Sequence, residues 1–299
     1  MICASKRASP FIKWAGGKSQ ILTEIRKRYP SELGKSILKY AEPFVGGGAV
    51  LFDVLAQYTL SAVYISDINR ELIHTYKCVR DRADELISAL RGLEKEYLQA
   101  NENERSIFYY RNRTRFNTLK AKLSTSTELA VLFIFLNRTC FNGLYRVNGH
   151  GVFNVPQGSY KKPKICDETN IYAVSNALRE VEIICGDYCN AREFIDEYTF
   201  AYFDPPYRPL SATASFTAYA NNGFDDRQQT ELARFIDEMS ERGAWVVASN
   251  SDPTNTDDGD DFLDRLYSRH EITRITATRA INSVGNRRGQ IRELLIANV

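Results

Sequence analysis

The length, composition and charge of the chain exclude several classes of protein. It has 299 residues, of which 43% are hydrophobic and 25% charged, and its mean hydropathy is −0.36, which is typical of a soluble globular protein. The longest apolar run has eight residues, whereas a membrane-spanning helix needs roughly 20. Six scattered cysteines form no C-x-x-C pair, and the N-terminus has no apolar stretch of signal-peptide length. We therefore exclude membrane proteins, disordered tails and secreted disulfide scaffolds, and we expect a cytoplasmic protein with reduced thiols and no metal.

Short apolar strands alternate with helices over much of the chain. In chain order, the sequence predicts a strand over Ser36–Val45, a helix over Ala49–Gln57, a strand over Ala62–Ser66, a helix over Arg70–Arg82, strands over Val181–Cys185, Thr199–Phe203 and Trp245–Ser249, and two final strands over Glu271–Thr278 and Arg292–Asn298. This alternation is typical of an α/β fold with a mostly parallel sheet, and the final two strands predict an antiparallel hairpin at one edge. Ligands of such sheets bind beyond the carboxyl ends of the strands.

A middle region interrupts this alternation. Residues 75–164 are predicted to contain helices over Ala83–Leu98 and Glu128–Asn137 and a loop rich in Asn and Gly. An insertion into the sheet domain is the simplest interpretation. We therefore predict one domain made of residues 1–74 and 165–299 and an inserted domain made of residues 75–164.

The charge of the chain is distributed unevenly. Eleven Lys and Arg residues stand against one acidic residue in Arg105–Lys164, a net charge of +10, while the other 239 residues carry −8. The same segment holds ten aromatic residues. Basic side chains bind phosphates and aromatic side chains stack on or wedge between bases, so the segment is predicted to bind nucleic acid. A solvated basic helix over an aromatic core is the alternative interpretation of this segment alone.

A glycine-rich turn and an acidic residue indicate a nucleoside cofactor. Gly46, Gly47 and Gly48 join a predicted strand to a helix, where glycine lets the backbone pass close to a ligand. Asp67 follows 19 to 21 residues later at the end of the next strand, where an acidic residue binds ribose hydroxyls in nucleoside-binding α/β folds. The turn lacks the full G-x-G-x-x-G spacing of a dinucleotide site.

The sequence Asp204-Pro205-Pro206-Tyr207, which follows a predicted strand, carries the most specific chemistry. A Pro-Pro pair has no backbone N–H, so it ends the strand and leaves carbonyl groups unpaired. The exocyclic amine of adenine is a poor nucleophile because its lone pair delocalises into the ring. Hydrogen bonds to the Asp204 carboxylate and the Pro205 carbonyl would aim that lone pair, while Tyr207 stacks on the ring. The alternative interpretation is a simple Asp-Pro turn.

Six segments together resemble the Dam-type DNA adenine-N6 methyltransferases of the alpha group (D12 class). They are Pro10–Lys18 (PFIKWAGGK), Glu42–Gly48 (EPFVGGG), Asp67, Phe141–Asn148 (FNGLYRVN), Phe153–Lys164 (FNVPQGSYKKPK) and Asp204–Tyr207 (DPPY). Their order along the chain also matches that group. The resemblance implies a Rossmann-like sheet of seven strands that binds S-adenosylmethionine and a target-recognition domain in the insertion. It further implies methylation of the adenine of GATC after that base flips out of duplex DNA.

The resemblance assigns site residues by position. The implied catalytic residues are Asp204, Pro205, Pro206 and Tyr207. The implied cofactor contacts are Trp14, Lys18, Phe44, Gly46, Gly48, Asp67, Asp187, Tyr188 and Asp204. The implied contacts to double-stranded DNA are Lys13, Phe141, Asn142, Leu144, Arg146, Pro156 and Tyr160. Among them, Lys13 would contact the first guanine pair and Phe141 would wedge into the duplex. We expect a monomer in solution that binds DNA in one or more copies.

Two other functions share part of this pattern. A protein-glutamine or RNA N-methyltransferase would need the same glycine turn and a D/N-P-P-Y motif, but such enzymes usually have Asn at the first position. They would also leave the basic insertion without a role. A DNA-binding protein that keeps the fold without catalysis is the second alternative, and an altered DPPY would favour it. The motif here is intact.

Overall fold

Seven strands form one sheet in the part of the chain that the structure describes. The computed structural model describes residues 7–208, 224–278 and 290–298. Its strands are β1 (Lys39–Glu42), β2 (Ala62–Asp67), β3 (Val181–Cys185), β4 (Thr199–Phe203), β5 (Trp245–Ser251), β6 (Glu271–Thr278) and β7 (Gln290–Ala297). Their order in the sheet is β3-β2-β1-β4-β5-β7-β6.

The direction of the strands confirms the predicted α/β fold. β1 pairs in parallel with β2 and β4, and β4 pairs in parallel with β5. β7 runs antiparallel to both β5 and β6, which gives the predicted hairpin at one edge. The Gly/Asn/Arg loop predicted to join the two hairpin strands lies outside the described residues. The seven-stranded, mostly parallel sheet is that of a Rossmann-like methyltransferase fold.

The described ranges also contain helices of very different lengths. They are α1 (Leu22–Arg26), α2 (Ala49–Gln57), α3 (Arg70–Asp81), α4 (Ala83–Gln99), α5 (Glu102–Ala121), α6 (Thr127–Thr139), α7 (Glu168–Ala177), α8 (Asp226–Glu241) and α9 (Phe262–Leu266). Within these ranges, no helix has the length and apolarity needed to cross a bilayer. The described residues also contain no group of three or more His, Cys, Asp or Glu side chains placed to hold a metal ion.

Residue contacts divide the chain into two compact units. The sheet unit comprises Lys18–Val45, Tyr58–Ser66 and Asp187–Val299, and the helical unit comprises Met1–Gly17, Gly46–Gln57 and Asp67–Gly186. The domain prediction was based instead on the alternation of strands and helices along the sequence. It gave one domain of residues 1–74 and 165–299 and an insertion of residues 75–164. That division stays a prediction.

The core of the sheet unit lies around β4, which has β1 and β5 as neighbours. All five residues of β4 are buried, as expected for a parallel strand inside an α/β sheet. β1 is much shorter than the predicted strand over Ser36–Val45. It ends at Glu42 because Pro43 has no N–H with which to continue the hydrogen-bonded ladder. β5 instead continues two residues beyond its predicted end, where it pairs with β7.

The helical unit is built around α6, whose sequence is apolar on every side. Eleven of its thirteen residues are buried, because α3, α4 and α5 pack against it. α5 begins at a capping box formed by Asn101 and Glu104. The sequence analysis did not predict α5, because a buried Asn112 interrupts its apolar stripe and basic residues flank that stripe.

Candidate active site and nucleic-acid interface

Asp204, which directly follows β4, forms a shielded ion pair within the sheet unit. The Lys18 ammonium lies 2.7 Å from Oδ1 of Asp204, and the Ser249 hydroxyl donates to the same oxygen at 3.0 Å. The side chain of Lys18 is 3% exposed and that of Asp204 is 19% exposed. Two donors on one oxygen fix the orientation of the carboxylate group.

Lys18 also binds Tyr207, the last residue of the DPPY motif. Its ammonium donates to the Tyr207 hydroxyl at 3.0 Å and lies 5.0 Å from the ring centroid. Burial opposes the charge of Lys18, but Asp204, Tyr207 and Glu293 outweigh that effect and raise its pKa above the ordinary value. Burial raises the pKa of the Tyr207 phenol, although the Lys18 charge acts in the opposite direction. Lys18, predicted from the sequence as a cofactor contact, therefore carries its charge between the first and last residues of the motif.

A buried amide network holds the middle of the motif. The Pro206 carbonyl accepts a hydrogen bond from Gln229 Nε2 at 3.3 Å, and Gln229 Oε1 accepts one from Asn250 Nδ2 at 3.0 Å. Both amide side chains are almost fully buried. The sequence analysis identified neither Gln229 nor Ser249 as part of the site. The polar end of β5 was the signal that could have pointed to Ser249.

The glycine turn of the helical unit is packed against an indole and a carboxylate. Gly46 has a φ of +46°, which suits glycine, and a Cβ there would lie 2.7 Å from Cδ1 of Trp14. The Gly46 N–H donates to Asp67 Oδ2 at 3.2 Å, and the Asn69 N–H donates to Oδ1 at 2.9 Å. Only a residue without a side chain fits this turn, because the Trp14 indole lies directly against its backbone.

Burial changes the acid–base behaviour of Asp67. It raises the pKa of the carboxyl group to about 6, although the backbone N–H groups of Asn69 and Gly46 act in the opposite direction. Burial disfavours the ionised form of this carboxylate, and additional hydrogen-bond donors stabilise that form. A ribose offers two such donors in its adjacent hydroxyl groups. The donors and acceptors around Asp67 in the helical unit therefore fit a nucleoside cofactor.

The other predicted cofactor residues lie in the sheet unit. Phe44 and Tyr188 stack with ring centroids 5.5 Å apart and planes at 29°, and Phe224 packs edge-on against Phe44 at 6.1 Å. Asp187 is exposed and accepts a hydrogen bond from the Cys189 N–H at 2.9 Å. Phe44 is half-buried and Tyr188 is buried, so the partly exposed ring of Phe44 and the exposed Asp187 carboxylate are the groups that suit an adenine ring and its amino group.

The seven residues predicted to contact DNA all belong to the helical unit. Phe141 and Asn142 lie in a turn at Phe141–Gly143, and Phe141 is 44% exposed. Its N–H donates to the carbonyl of Pro156, itself exposed, at 2.9 Å. Asn142 has a φ of +54°, a conformation that asparagine adopts more readily than most residues. The turn thus presents an exposed aromatic ring and is hydrogen-bonded to the segment Phe153–Lys164, which contains Pro156.

The remaining predicted DNA contacts flank this turn. Arg146 is exposed, and its Nε donates to Asn154 Oδ1 at 2.8 Å, so its two terminal nitrogens are the groups able to reach a base. Leu144 is half-buried. The Lys13 ammonium lies 4.1 Å from the ring centroid of Tyr160, and both side chains are half-buried.

Many basic side chains of this segment are bonded to groups of the same chain, several of them in exposed ion pairs. Arg111, Arg115, Lys120 and Lys164 form ion pairs with Glu96, Glu128, Glu71 and Asp167, respectively. Arg105, Arg113 and Arg138 donate to backbone carbonyl groups. Among the described residues, no acidic partner pairs with the exposed Lys122, Arg146, Lys161 and Lys162. Three of these four lie in the loop of residues 141–164, so the charge expected to bind nucleic acid concentrates there rather than on α5.

Comparison with known proteins assigns the chain to a family. The model of the D12 class N6 adenine-specific DNA methyltransferases matches residues 14–281. The chain belongs to this family. The resemblance found in the sequence is thereby confirmed, and with it the general activity, methylation of adenine N6 in DNA. D12-class enzymes are methyltransferases that depend on S-adenosylmethionine.

Relatives of this D12-class methyltransferase match it over nearly their full length. Type II methyltransferase M.MjaIII of Methanocaldococcus jannaschii is 48% identical over 291 residues, which are 97% of this chain and 98% of the relative. Type II methyltransferase M1.LlaDCHI of Lactococcus lactis is 34% identical, with 97% and 95% covered. DNA adenine methylase of Escherichia coli is 36% identical over 290 residues, again with 97% and 95% covered. The match therefore includes both the sheet unit and the helical unit.

Proposed function

We propose that this D12-class enzyme transfers a methyl group from S-adenosylmethionine to N6 of the adenine in duplex GATC, after that adenine has flipped out of the helix. The ion pair between Lys18 and Asp204 is the observation that carries the proposal. It gives the first residue of the DPPY motif a fixed orientation and a compensated charge in a shielded position. Such a group is suited to bind the reacting amine and unsuited to a simple surface turn.

Asp204 and Pro205 act on the reacting amine. Because the lone pair of adenine N6 is delocalised into the ring, the nitrogen must become tetrahedral before it attacks. Lys18 and Ser249 bind Oδ1 of Asp204, so Oδ2 accepts one N–H of the amine, and the Pro205 carbonyl accepts the other. These two acceptors aim the lone pair and stabilise the positive charge that develops on N6.

The neighbouring residues complete the reaction site. Bound S-adenosylmethionine supplies the electrophilic methyl group. Tyr207, whose hydroxyl is held by Lys18, stacks on the flipped adenine through its ring. The proton that N6 releases leaves along its hydrogen bond to Asp204.

The cofactor is held by contacts of two kinds. In the helical unit, Asp67 accepts hydrogen bonds from the ribose hydroxyls beside the Gly46 turn. In the sheet unit, Phe44 and Tyr188 supply an aromatic face for the adenine ring of the cofactor, and Asp187 accepts from its amino group. The raised pKa of the half-buried Asp67 carboxyl group and the stacked rings support this assignment.

The loop of residues 141–164 supplies sequence recognition. Arg146 presents two donors that match O6 and N7 of guanine. Phe141, exposed at the turn, wedges between bases and helps to extrude the adenine. Lys161 and Lys162 bind phosphates. The enzyme works as a monomer in solution.

Transfer of labelled methyl groups tests this proposal. We expect incorporation into a duplex with one GATC site and little incorporation into duplexes in which one base pair of that site is changed. Hydrolysis should release N6-methyladenine as the methylated base. RNA of the same sequence and a glutamine-containing peptide, tested in parallel, should accept no label. Equal incorporation into GATC and scrambled duplexes would contradict the proposed specificity.

Binding of S-adenosylmethionine is expected to weaken as the pH falls through 6. Burial raises the pKa of Asp67 to about 6, and its ionised form is the stronger acceptor for ribose hydroxyls. Below that pKa, protonation competes with binding, so the dissociation constant should rise by up to about tenfold per pH unit. Calorimetric titration from about pH 7.5 to about pH 5 measures this dependence.

Asp67→Asn is the matched variant for this titration. Asparagine cannot ionise, and it keeps one oxygen that accepts a backbone N–H while its NH2 group takes the place of the other acceptor, so the variant should bind the cofactor more weakly at neutral pH and lose the pH dependence. A wild-type dissociation constant that stays unchanged across the range would exclude Asp67 as the ribose acceptor.

A further inference from the structure

Asn137 connects two parts of the predicted nucleic-acid interface, although no role has been assigned to it. It lies in the last turn of α6 and is 4% exposed. Its Oδ1 accepts the Lys13 N–H at 2.8 Å, and its Nδ2 donates to the carbonyl groups of Lys13 at 2.8 Å and Gly143 at 3.0 Å. A single carboxamide therefore binds both backbone groups of Lys13 and the last carbonyl of the turn at Phe141–Gly143.

Lys13 and this turn are in direct contact. Gly143 has a φ of +66°, and a Cβ on it would lie 2.5 Å from Cδ of Lys13. The side chain of Lys13 thus crosses Gly143 before its ammonium reaches the ring of Tyr160. Lys13 is 124 residues away from Asn137 in sequence, so its place on the loop depends on these contacts and not on chain connectivity.

Asparagine suits this bonding pattern better than any similar side chain. Aspartate would accept from the Lys13 N–H but would set a second carboxylate oxygen against two carbonyl oxygens. Glutamine would add a methylene group to a buried position. An apolar residue would leave three backbone groups without their partner, one of them buried and two partly buried, and such groups are costly to leave unpaired.

We propose that Asn137 is a specificity-determining positioning residue. It fixes Lys13 relative to the turn at Phe141–Gly143, so that Lys13 contacts the first base pair of the site in one register. The inference rests on the proposed function, because it takes both as DNA contacts. Hydrogen bonds to base edges weaken steeply when misaligned, whereas phosphate contacts dominate general affinity. Loss of Asn137 therefore lowers discrimination at the first base pair more than it lowers DNA binding.

The test is a double-variant cycle on substrate discrimination. The ratio of kcat/KM for a GATC duplex to that for a duplex changed at the first base pair is measured for the wild type, Asn137→Ala, Lys13→Ala and the double variant. We expect each single variant to lower the ratio by about tenfold. Because Asn137 acts through Lys13, the double variant should lower the ratio no further than Lys13→Ala does.

Asn112→Ala provides a matched control. Asn112 is also a buried asparagine of the helical unit, but its amide donates to the Phe108 carbonyl of its own helix, α5. It should keep the wild-type ratio. Thermal unfolding of every variant shows which ones are folded at the assay temperature, and Asn137→Ser, which keeps a polar group, replaces Asn137→Ala if the latter is unfolded.

The outcomes separate this inference from the proposed function. A wild type that does not prefer GATC overturns the proposed function and the inference with it. A wild type that prefers GATC, with Asn137 variants that keep the ratio, overturns the inference alone. Equal loss of kcat/KM on both duplexes, or a double variant that falls well below Lys13→Ala, also overturns it, because Asn137 would then act on stability or independently of Lys13.

Discussion

Replacing Asp204 with alanine is expected to lower the rate of methyl transfer by at least ~10²-fold, while S-adenosylmethionine and DNA still bind. The carboxylate acts chiefly on the amine in the transition state, so its removal should affect the chemical step far more than either binding step. Single-turnover transfer into a GATC duplex, with separate titrations of cofactor and DNA, measures the difference. A variant that keeps a third of the wild-type rate would show that Asp204 is not the catalytic carboxylate.

The partner of Asp204 requires a control for stability. Without Asp204, the buried Lys18 ammonium loses the carboxylate that lies 2.7 Å away, and breaking a buried ion pair costs about 3–5 kcal/mol. Asp204→Asn keeps the size of the side chain, and adding Lys18→Met to it removes the buried ammonium. We expect the double variant to unfold at a higher temperature than Asp204→Asn and to remain inactive. Activity restored by Lys18→Met would mean that the loss came from instability.

Replacing Arg146 with alanine is expected to relax sequence specificity more than it weakens general DNA binding. Its two terminal nitrogens can donate to both acceptors of a guanine edge, and a good contact of that kind discriminates by roughly 1–3 kcal/mol. The side chain is exposed and bonds only through Nε to Asn154 in the described ranges, so its loss should leave the fold intact. Binding to GATC and to a duplex altered at one guanine, at two salt concentrations, gives the ratio.

Lys161 and Lys162 supply the contrasting variants for this experiment. Each carries an exposed point charge suited to phosphate, so its replacement by alanine should weaken binding to both duplexes alike and reduce the salt dependence. If Arg146→Ala behaved in that way too, Arg146 would be a phosphate contact. Base recognition would then have to come from other residues of the loop.

The sheet could be predicted from the sequence because its strands carry a local signal. β3 and β4 are short apolar runs with polar ends, and the structure gives them the predicted bounds. α5 carries no comparable signal, because its stripe includes the polar Asn112 and its basic residues find partners far away in sequence. Arg115 binds Glu128, for example, and Arg105 binds the carbonyl of Lys161. Interactions of this kind are determined by tertiary packing.

In the candidate site, too, the sequence identified local motifs but not the contacts that tertiary packing creates. The residues of the DPPY motif are consecutive in sequence, and so are those of the glycine turn. Both sets could therefore be identified from the sequence alone. Lys18 could be named only as a cofactor contact, because its ion pair with Asp204 joins residues that are far apart in the chain. Asn137, inside an apolar helix, gave no sequence signal of its bonds to Lys13.

Cleavage of plasmid DNA tests the central claim, methylation of adenine in GATC by this site, most directly. The plasmid is isolated from cells that lack their own GATC methylation and that produce either the wild-type chain or Asp204→Ala. It is then digested with two nucleases that cut GATC, one blocked by N6-methyladenine and one dependent on it. We predict that wild-type plasmid resists the first nuclease and is cut by the second, and that the Asp204→Ala plasmid shows the reverse. Wild-type plasmid cut by the first nuclease and not by the second would contradict the claim.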